Sequence, residues 1–513
     1  PGFTLAPGFP FEWDEPSWNG GMFVNTDADA DLEFVGAARS RLYSIDLDTA
    51  SPAAGWPRIV GDSTFSAPAW GDIDGDGQEE IVYHTFFFGI DSSLWAFEID
   101  GSTVPGFPVV VAGAFKSPSL ADLDDDGDLE ILVNGNLNGT GVIQAFDGDG
   151  NVVPGWPFTG MFDITSGATP SVADIDNDGK LEIIAMSFSE MWVLEEDGGL
   201  DDAFPNPWFP PDFTHGFNSY APAALVDLDN DGDLEIAFHT AIQNQDPGGI
   251  NSAPTVHILH HDGTPFTGWP QDLPIPNIDQ AGGGATTMYA PLSIADIDAD
   301  GSYDIVTGDV TLCPDDCTVV MAWDQSGAAK PGFPITGVAA TQNQITIADI
   351  DGDGTMELFK DNNRAANPPE AFNHDGTPLV GWEFANVDGS GQMEFGDVDN
   401  DGFMDFMLPA SNITTAVQKV RFRLYTSETV PYSPQAAPVG TFMYNYQRTG
   451  VVPPLSPPCV ADTNGDGQLT PADFNAWIIA FNSQAPACDQ NGDGLCTPAD
   501  FNAWIINYNT GCP

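Results

Sequence analysis

Basic side chains are almost missing from this chain. Twelve Lys and Arg stand against 76 Asp and Glu in 513 residues, a formal net charge of −64. A surface of that sign repels nucleic acid phosphates and anionic lipid, so neither is expected as a partner. Long apolar runs are also lacking. No stretch approaches the ~20 residues that a spanning helix needs, so membrane insertion is not expected either. Histidines number only seven, with no His-Glu-x-x-His motif and no Ser/His/Asp arrangement that stands out. His257, His260 and His261 are the one concentration, and they are expected at ordinary strand positions. Acid pairs abound, but they recur along the chain and single out no catalytic residue.

Cysteine is sparse too. Cys313, Cys317, Cys459, Cys488, Cys496 and Cys512 make an even set, which fits disulfides in an oxidising compartment without revealing the pairing. The chain begins at Pro1 and carries no signal peptide, as expected of the mature form of an exported protein.

What the chain has in quantity is acid arranged around glycine. "WGDIDGDGQEEIVY" (70–83) places Asp72, Asp74, Asp76 and Glu80 at positions 1, 3, 5 and 9 of a loop with Gly77 at position 6. The same set returns as Asp122/Asp124/Asp126/Glu130, Asp174/Asp176/Asp178/Glu182 and Asp227/Asp229/Asp231/Glu235. It continues as Asp296/Asp298/Asp300/Asp304, Asp349/Asp351/Asp353/Glu357 and Asp397/Asp399/Asp401/Asp405. Hard oxygen ligands in that number, with a position-7 carbonyl, suit Ca2+, and the glycine permits the sharp turn. A first copy with Asn25, Asp27, Asp29 and Glu33 has Ala30 in place of the glycine. A left-handed alanine costs about 1 kcal/mol, so this site is expected to be weak or empty.

The eight copies are spaced by 47 to 69 residues, the period of a propeller blade. Each loop lies between two short strands, and a third strand ends in an aromatic and an Asp-Gly turn. The unit closes with Gly-aromatic-Pro at 55–57, 106–108, 155–157, 268–270 and 332–334, and another such triplet stands at 8–10. An N-terminal strand that completes the last blade would leave no open sheet edge. The expected fold is mainly β, an eight-bladed propeller, or seven-bladed if the first copy forms no blade. The loops resemble the FG-GAP/VCBS repeats of integrin-α-type and bacterial cell-surface propellers. That resemblance, over about residues 1–450, implies structural calcium and a role in adhesion or ligand binding.

Alternate connections of an antiparallel sheet share one end. The long insertions at 240–254, 272–288 and 313–317 therefore fall opposite the acidic loops, together with an aromatic stretch containing Trp208, Phe217 and Tyr220. Those three are candidates for binding a glycan or protein ligand, since loop variation on a rigid scaffold is where binding resides. A plain surface-loop reading stands beside it.

Residues 451–458 ("VVPPLSPP") form a proline-rich linker. In 459–513 the texture changes to two loop–helix units. Asp462, Asn464, Asp466 and Asp473 take positions 1, 3, 5 and 12 of a calcium loop, as do Asp489, Asn491, Asp493 and Asp500. Each loop runs into the same decapeptide, "TPADFNAWII", with Thr at the N-cap and Pro at the first helical position. Phe474, Trp477, Ile478 and Phe481 then fall on one apolar face, either the module's own core or a docking surface.

This module resembles a type I dockerin. The resemblance implies a cohesin-like partner contacted by Pro471, Ala472, Phe474 and Trp477, with Pro498, Ala499, Phe501 and Trp504 as their counterparts. In that setting Cys459 with Cys512, and Cys488 with Cys496, would clasp the module. Taken together, the two resemblances imply a secreted, non-catalytic binding propeller tethered by its tail. Its rivals are a polysaccharide lyase or lectin in the same format, and a structural spacer.

Overall fold

The computed structural model describes residues 2–15, 20–27, 29, 31–61, 66–85, 92–112, 116–137, 140–161, 168–187, 190–209, 221–240, 254–274, 291–308, 319–338, 341, 343–361, 369–382, 391–412, 419–455, 471–483, 488, 497–498, 501, 503–505 and 508. The chain divides into two compact units, residues 1–298 with 302–453, and residues 299–301 with 454–513.

Among the described residues of the first unit, the strands form eight antiparallel sheets, one per acidic loop, so the degenerate first copy does build a blade. Blade 2 shows the plan. Ala69–Gly71 pairs with Glu80–Thr85 across the acidic loop, Glu80–Thr85 with Ser92–Phe97, and Ser92–Phe97 with Val109–Val111 after Gly106-Phe107-Pro108. Second strands such as Glu80–Thr85 and Glu235–Thr240 are buried at every residue, because each sheet is covered on both faces by its neighbours. Apolar clusters accordingly straddle adjacent blades. Ile73 and Val82 of blade 2, for example, share one with Leu120, Ile131 and Phe146 of blade 3.

Ring closure follows the expected route. Phe3–Leu5 and Phe11–Trp13 both pair with Lys419–Ser427, the third strand of blade 8. Phe9, in the loop between them, packs in a cluster with Phe34, Tyr43 and Ile45 of blade 1.

The Gly-aromatic-Pro triplets stitch the blades that carry them to the next. Trp56, Trp156 and Trp269 donate their indole N–H to Ile99 O, Glu196 O and Gln325 O in the turn after the third strand of the following blade, at 3.0–3.2 Å. The glycine is required by closeness as well as by its positive φ. A Cβ on Gly55, Gly106, Gly155, Gly268 or Gly332 would strike a carbonyl oxygen of that neighbouring turn.

The centre of the ring is filled by the chain itself, which the sequence did not announce. The innermost strand of every blade turns one edge inward, and its backbone N–H groups need acceptors. The residue two before each loop finds one on the segment 439–450. Trp70, Leu120, Val172, Leu225, Ile347 and Phe395 donate to the carbonyls of Tyr446, Gln447, Thr449, Gly450, Val439 and Gly440. Phe23 and Ile294 donate to the hydroxyls of Tyr446 and Tyr444. Val452 N–H returns a bond to Leu225 O, and Tyr303 Oη donates to Pro453 O. The propeller therefore runs to Pro453, and the first residues of the expected linker belong to it.

Arg448 is the hub of this plug. It is fully buried, and its guanidinium donates to Pro68 O, Gly21 O, Phe442 O, Asn445 O and Thr441 Oγ1. Its charge also faces the buried carboxyl of Glu394, which burial pushes up to about 8 and Arg448 pulls back down.

In the second unit, α1 spans Pro471–Ser483, and helical backbone recurs at 498, 501, 503–505 and 508. The two copies of the decapeptide pack together through their rings. Phe474 lies 5.8 Å from Phe501 and 5.0 Å from Trp504, and Trp477 lies 5.5 Å from Phe501. Ala480 takes the inward place expected of Ile478, which is exposed. Cys488 is disulfide-bonded, and its carbonyl accepts from Trp477 Nε1 at 3.2 Å. Its expected partner Cys496, and both Cys459 and Cys512, lie outside the described residues.

Replacing Arg448 with Met should lower unfolding free energy by about 3–5 kcal/mol, the usual cost of stranding a buried charge. Urea unfolding followed by tryptophan fluorescence measures this.

Candidate metal loops and the opposite end

All eight loops share one scaffold of hydrogen bonds. The position-9 carboxylate opens the second strand, points back beneath the loop, and accepts the backbone N–H of position 2. Ile73 donates to Glu80, Leu123 to Glu130, Ile175 to Glu182 and Leu228 to Glu235, at 2.7–2.9 Å. Ile297 donates to Asp304, Ile350 to Glu357 and Val398 to Asp405, at 3.0–3.3 Å, and Thr26 donates to Glu33. Position 1 accepts from the position-6 glycine, as in Gly77 to Asp72, Gly127 to Asp122 and Gly402 to Asp397. Position 5 accepts from position 7, as in Gln78 to Asp76 and Thr355 to Asp353. The position-6 glycines carry φ of +85° to +101°. Position 4 is left-handed too, and its residues are Gly75, Asp125, Asn177, Asn230, Ala299, Gly352 and Asn400. Gly, Asp and Asn are the types that tolerate this conformation.

These constraints bring many of the expected ligands together. Oxygens of Asp72, Asp74 and Asp76 lie within 4.8 Å of one another, as do those of Asp122, Asp124 and Glu130, of Asp174, Asp176 and Asp178, and of Asp27, Asp29 and Glu33. The residues fit calcium on a separate ground. Glu80 is fully buried and its Oε1 has no hydrogen-bond partner, which leaves an acceptor facing a cluster of acids. Burial pushes Glu80, Glu182, Glu235 and Glu357 up to about 8, with the nearby aspartates adding to the rise and the backbone donors opposing it. Glu33, Glu130 and Asp405 are pushed to about 7 in the same way. A divalent ion bound there would neutralise the cluster and satisfy the spare oxygens.

The four acids of a loop differ in burial. Position 9 is buried, whereas Asp126, Asp231, Asp300 and Asp401 at position 5 and Asp351 at position 3 are exposed to water. They lie at the tip of the turn, where four of the five carboxylates accept from the loop's own backbone. Asp126 accepts the N–H of Asp128, Asp231 that of Asp233 and Asp401 that of Phe403, at 2.8–3.0 Å. Asp351 accepts the N–H of Asp353 at 3.3 Å. These bonds shape the turn around the remaining carboxylate oxygens.

Two loops carry an additional group. In the fifth, His260 Nδ1 lies 3.1 Å from Glu235 Oε1, and ligand atoms of Asp229, Glu235 and His260 fall within 4.8 Å. His261 Nδ1 lies 3.0 Å from Asp233. Of the three histidines expected in the strand, only His257 is there; His260 and His261 follow its end at Leu259 and turn to the loop. In the sixth loop Lys330 Nζ lies 2.7 Å from Asp298 and 2.9 Å from Asp304. Burial pushes Asp304 up to about 7, and the Lys330 ammonium pulls against it.

Antiparallel pairing in every sheet puts the acidic loops and the Asp-Gly turns at one end of the ring. Of the candidate ligand residues, Trp208 alone is among the described residues. Trp208 is a correction: it is 8% exposed, packs edge-on against Phe238 at 5.2 Å, and exchanges backbone hydrogen bonds with Met191. It stands in for the outer strand of blade 4 and is core. Phe217 and Tyr220, with the long insertions, lie outside the described residues. In the second unit Trp477 and Trp504, expected at a docking surface, are 5% and 6% exposed and build the module's core. Phe501 is 39% exposed and Pro498 is exposed, while the side chains of Pro471, Ala472 and Asp473 lie outside the described residues, as do Asp462, Asn464, Asp466, Asp489, Asn491, Asp493, Ala499 and Asp500.

Two measurements check the loop chemistry. Raised carboxyl values in the folded state favour the protonated form, so the chelated protein is most stable at low pH. Its melting temperature should fall as pH rises from the ordinary carboxyl value of 4.5 towards about 8. Calcium competes with those protons, so the stabilisation it gives should grow over the same window, reaching ~2.7 kcal/mol per site at 100 times Kd. Glu80→Gln should remove one bound calcium per chain, counted by native mass spectrometry. In chelator it should leave the melting temperature unchanged or higher, because the neutral side chain suits the metal-free site.

Residues 122–185, which hold the third and fourth loops, match the FG-GAP-like repeat family. No curated protein matches the chain. Solved structures to which it is similar include the V. cholerae biofilm matrix protein Bap1, 13% identical with a TM-score of 0.43, covering 78% of this chain and 95% of that one. A protein of unknown function from Bacteroides caccae is 11% identical with a TM-score of 0.29, covering 60% and 94%. The Pseudomonas aeruginosa PilY1 C-terminal domain is 12% identical with a TM-score of 0.34, covering 79% and 82%. The chain is thus an eight-bladed β-propeller with an FG-GAP-like repeat at residues 122–185.

Proposed function

We propose that this chain is a secreted, calcium-braced binding propeller, tethered to a cohesin-like protein through its C-terminal module. The observation that carries the reading is the recurrence of one ligand geometry in blade after blade, each built on a buried position-9 carboxylate. Calcium at those positions is structural, converting mutual repulsion of acids into a brace between the first two strands of a blade. The exposed Asp126, Asp351 and Asp401 would close the shell from the solvent side, each with the oxygen that its turn leaves over. The ligand, a glycan or a protein surface, is assigned to the end opposite the acidic loops, where the longest insertions fall in sequence.

Tethering rests on the tandem loop–helix pattern, and the aromatic packing of its two copies is what such a module needs. The docking face is narrowed by the burial of both tryptophans. Phe501, Ile478, Ile479 and Ile505 remain exposed, an apolar set for a module of this size, with Phe474 half-buried beside them. The exposed Phe501 and Pro498 keep their assigned partner role.

A glycan and protein array probed with the full chain, with and without chelator, tests the binding role. Binding that depends on calcium and leaves the ligand intact is the expected result. Release of unsaturated uronate products, seen as new ultraviolet absorbance, would make it a lyase instead. Calorimetric titration with cohesin domains should show calcium-dependent binding that Phe501→Ala weakens at least tenfold. Absence of heat with every cohesin type would remove the tether.

A further inference from the structure

Lys330 stands in a slot that blades 2, 3 and 5 fill with an apolar side chain. The residue two before the glycine of Gly-aromatic-Pro is Val104 in blade 2, Val153 in blade 3 and Phe266 in blade 5. Each donates its N–H to the third strand of its own blade, Val104 to Ala96 O, Val153 to Ala145 O and Phe266 to Ile258 O. Lys330 makes the same bond, to Ala322 O at 3.0 Å, so its backbone keeps the common role and only its side chain differs. That side chain is 9% exposed and ends between Asp298 and Asp304, 2.7 and 2.9 Å from their oxygens.

Those two carboxylates are positions 3 and 9 of the sixth acidic loop. A calcium ion would take the same oxygens at ~2.3–2.6 Å, so ion and ammonium would compete for one point in space. Position 9 is Asp304 where most sister loops have Glu, and the missing methylene leaves room for the lysine head. Shortening alone does not bring a lysine. Blade 8 also has Asp at position 9, and there the second oxygen of Asp405 accepts the backbone N–H of Ser427 at 3.3 Å. Two independent departures from the repeat, Asp304 and Lys330, thus meet at one pair of contacts.

We propose that the sixth loop binds no calcium because the Lys330 ammonium occupies the ion's place, making blade 6 a lysine-braced wedge beside metal-braced sister blades. The inference rests on the calcium reading of the sister loops. A buried ammonium held by two carboxylates is always present, whatever the calcium concentration. For calcium to enter, Lys330 must leave a nearly closed pocket and give up its contacts with both carboxylates. One sector of the ring therefore keeps its hairpin closed when chelator opens the others.

Anomalous-scattering maps from crystals of the wild-type chain grown in calcium test this directly. Peaks at the loops of Asp72, Asp122, Asp174 and Asp349 with none at Asp296 are expected. A peak at the Asp296 loop, with Lys330 displaced, overturns the inference and leaves the calcium reading standing. Absence of peaks at every loop overturns both. In solution, Lys330→Met should raise the calcium count by one per chain in native mass spectrometry and lower the melting temperature more in chelator than in calcium. Lys330→Arg should keep the wild-type count. An unchanged count in Lys330→Met also overturns the inference.

Discussion

Carboxylates taken out of water without a counter-charge are the constraint around which this protein is organised. Each blade buries one acid at the root of its first hairpin and sets further acids above it. Burying an unpaired carboxylate costs several kcal/mol unless the group takes a proton or a cation. The backbone supplies part of the answer, since the position-2 N–H reaches the buried oxygen in every blade. It leaves the remainder to something positive. That remainder couples stability to solution conditions, because protons and divalent ions compete for the same oxygens.

The copies resolve the problem in different ways. Glu80 keeps a buried oxygen without a partner. Asp405 gives its second oxygen to a backbone donor. Glu235 meets an imidazole and Asp304 an ammonium. A repeat that looks uniform by its acids is therefore heterogeneous in the groups those acids meet, which come from the third strand or the turn after it.

A second requirement is met at the ring's centre. Inner strands of three residues offer inward-facing N–H groups, and in the eight blades the same residue of that strand is satisfied by the stretch 439–450 or by its tyrosines. Arg448 ties that stretch together by donating to carbonyls from Gly21 and Pro68 as well as to its own neighbours. The acidic loops brace each hairpin locally, the Gly-aromatic-Pro stitches join neighbours, and the plug unites all eight blades. The third of these has no dependence on metal.

Blade number, strand order, loop positions and ring closure were legible in the sequence, because a repeat read in register repeats its hydrogen bonding as well. The acids at positions 1, 3, 5 and 9 lie within nine residues of one another, so local chain geometry gathers them. Their spacing did not reveal that position 9 is buried while Asp126, Asp231, Asp300 and Asp401 stay in water, since burial depends on the neighbouring strands. Which cation each loop meets was likewise decided by contacts between strands. Lys330 lies 26 residues beyond Asp304 by the numbering, and only the pairing of Asp304–Gly308 with Val319–Asp324 brings the two together. The same holds for Trp208, read as an exposed aromatic but buried against Phe238 of the next blade, and for Trp477 and Trp504, which a helical stripe marks as apolar without saying what covers them. The plug was least visible of all, since residues 439–450 carry no strand pattern and take their order from the inward-facing N–H groups of eight separate strands. Sequence alone determined the blade, because its bonds are local; the counter-charges and the filled hub belong to the tertiary structure, because their partners lie tens to hundreds of residues away.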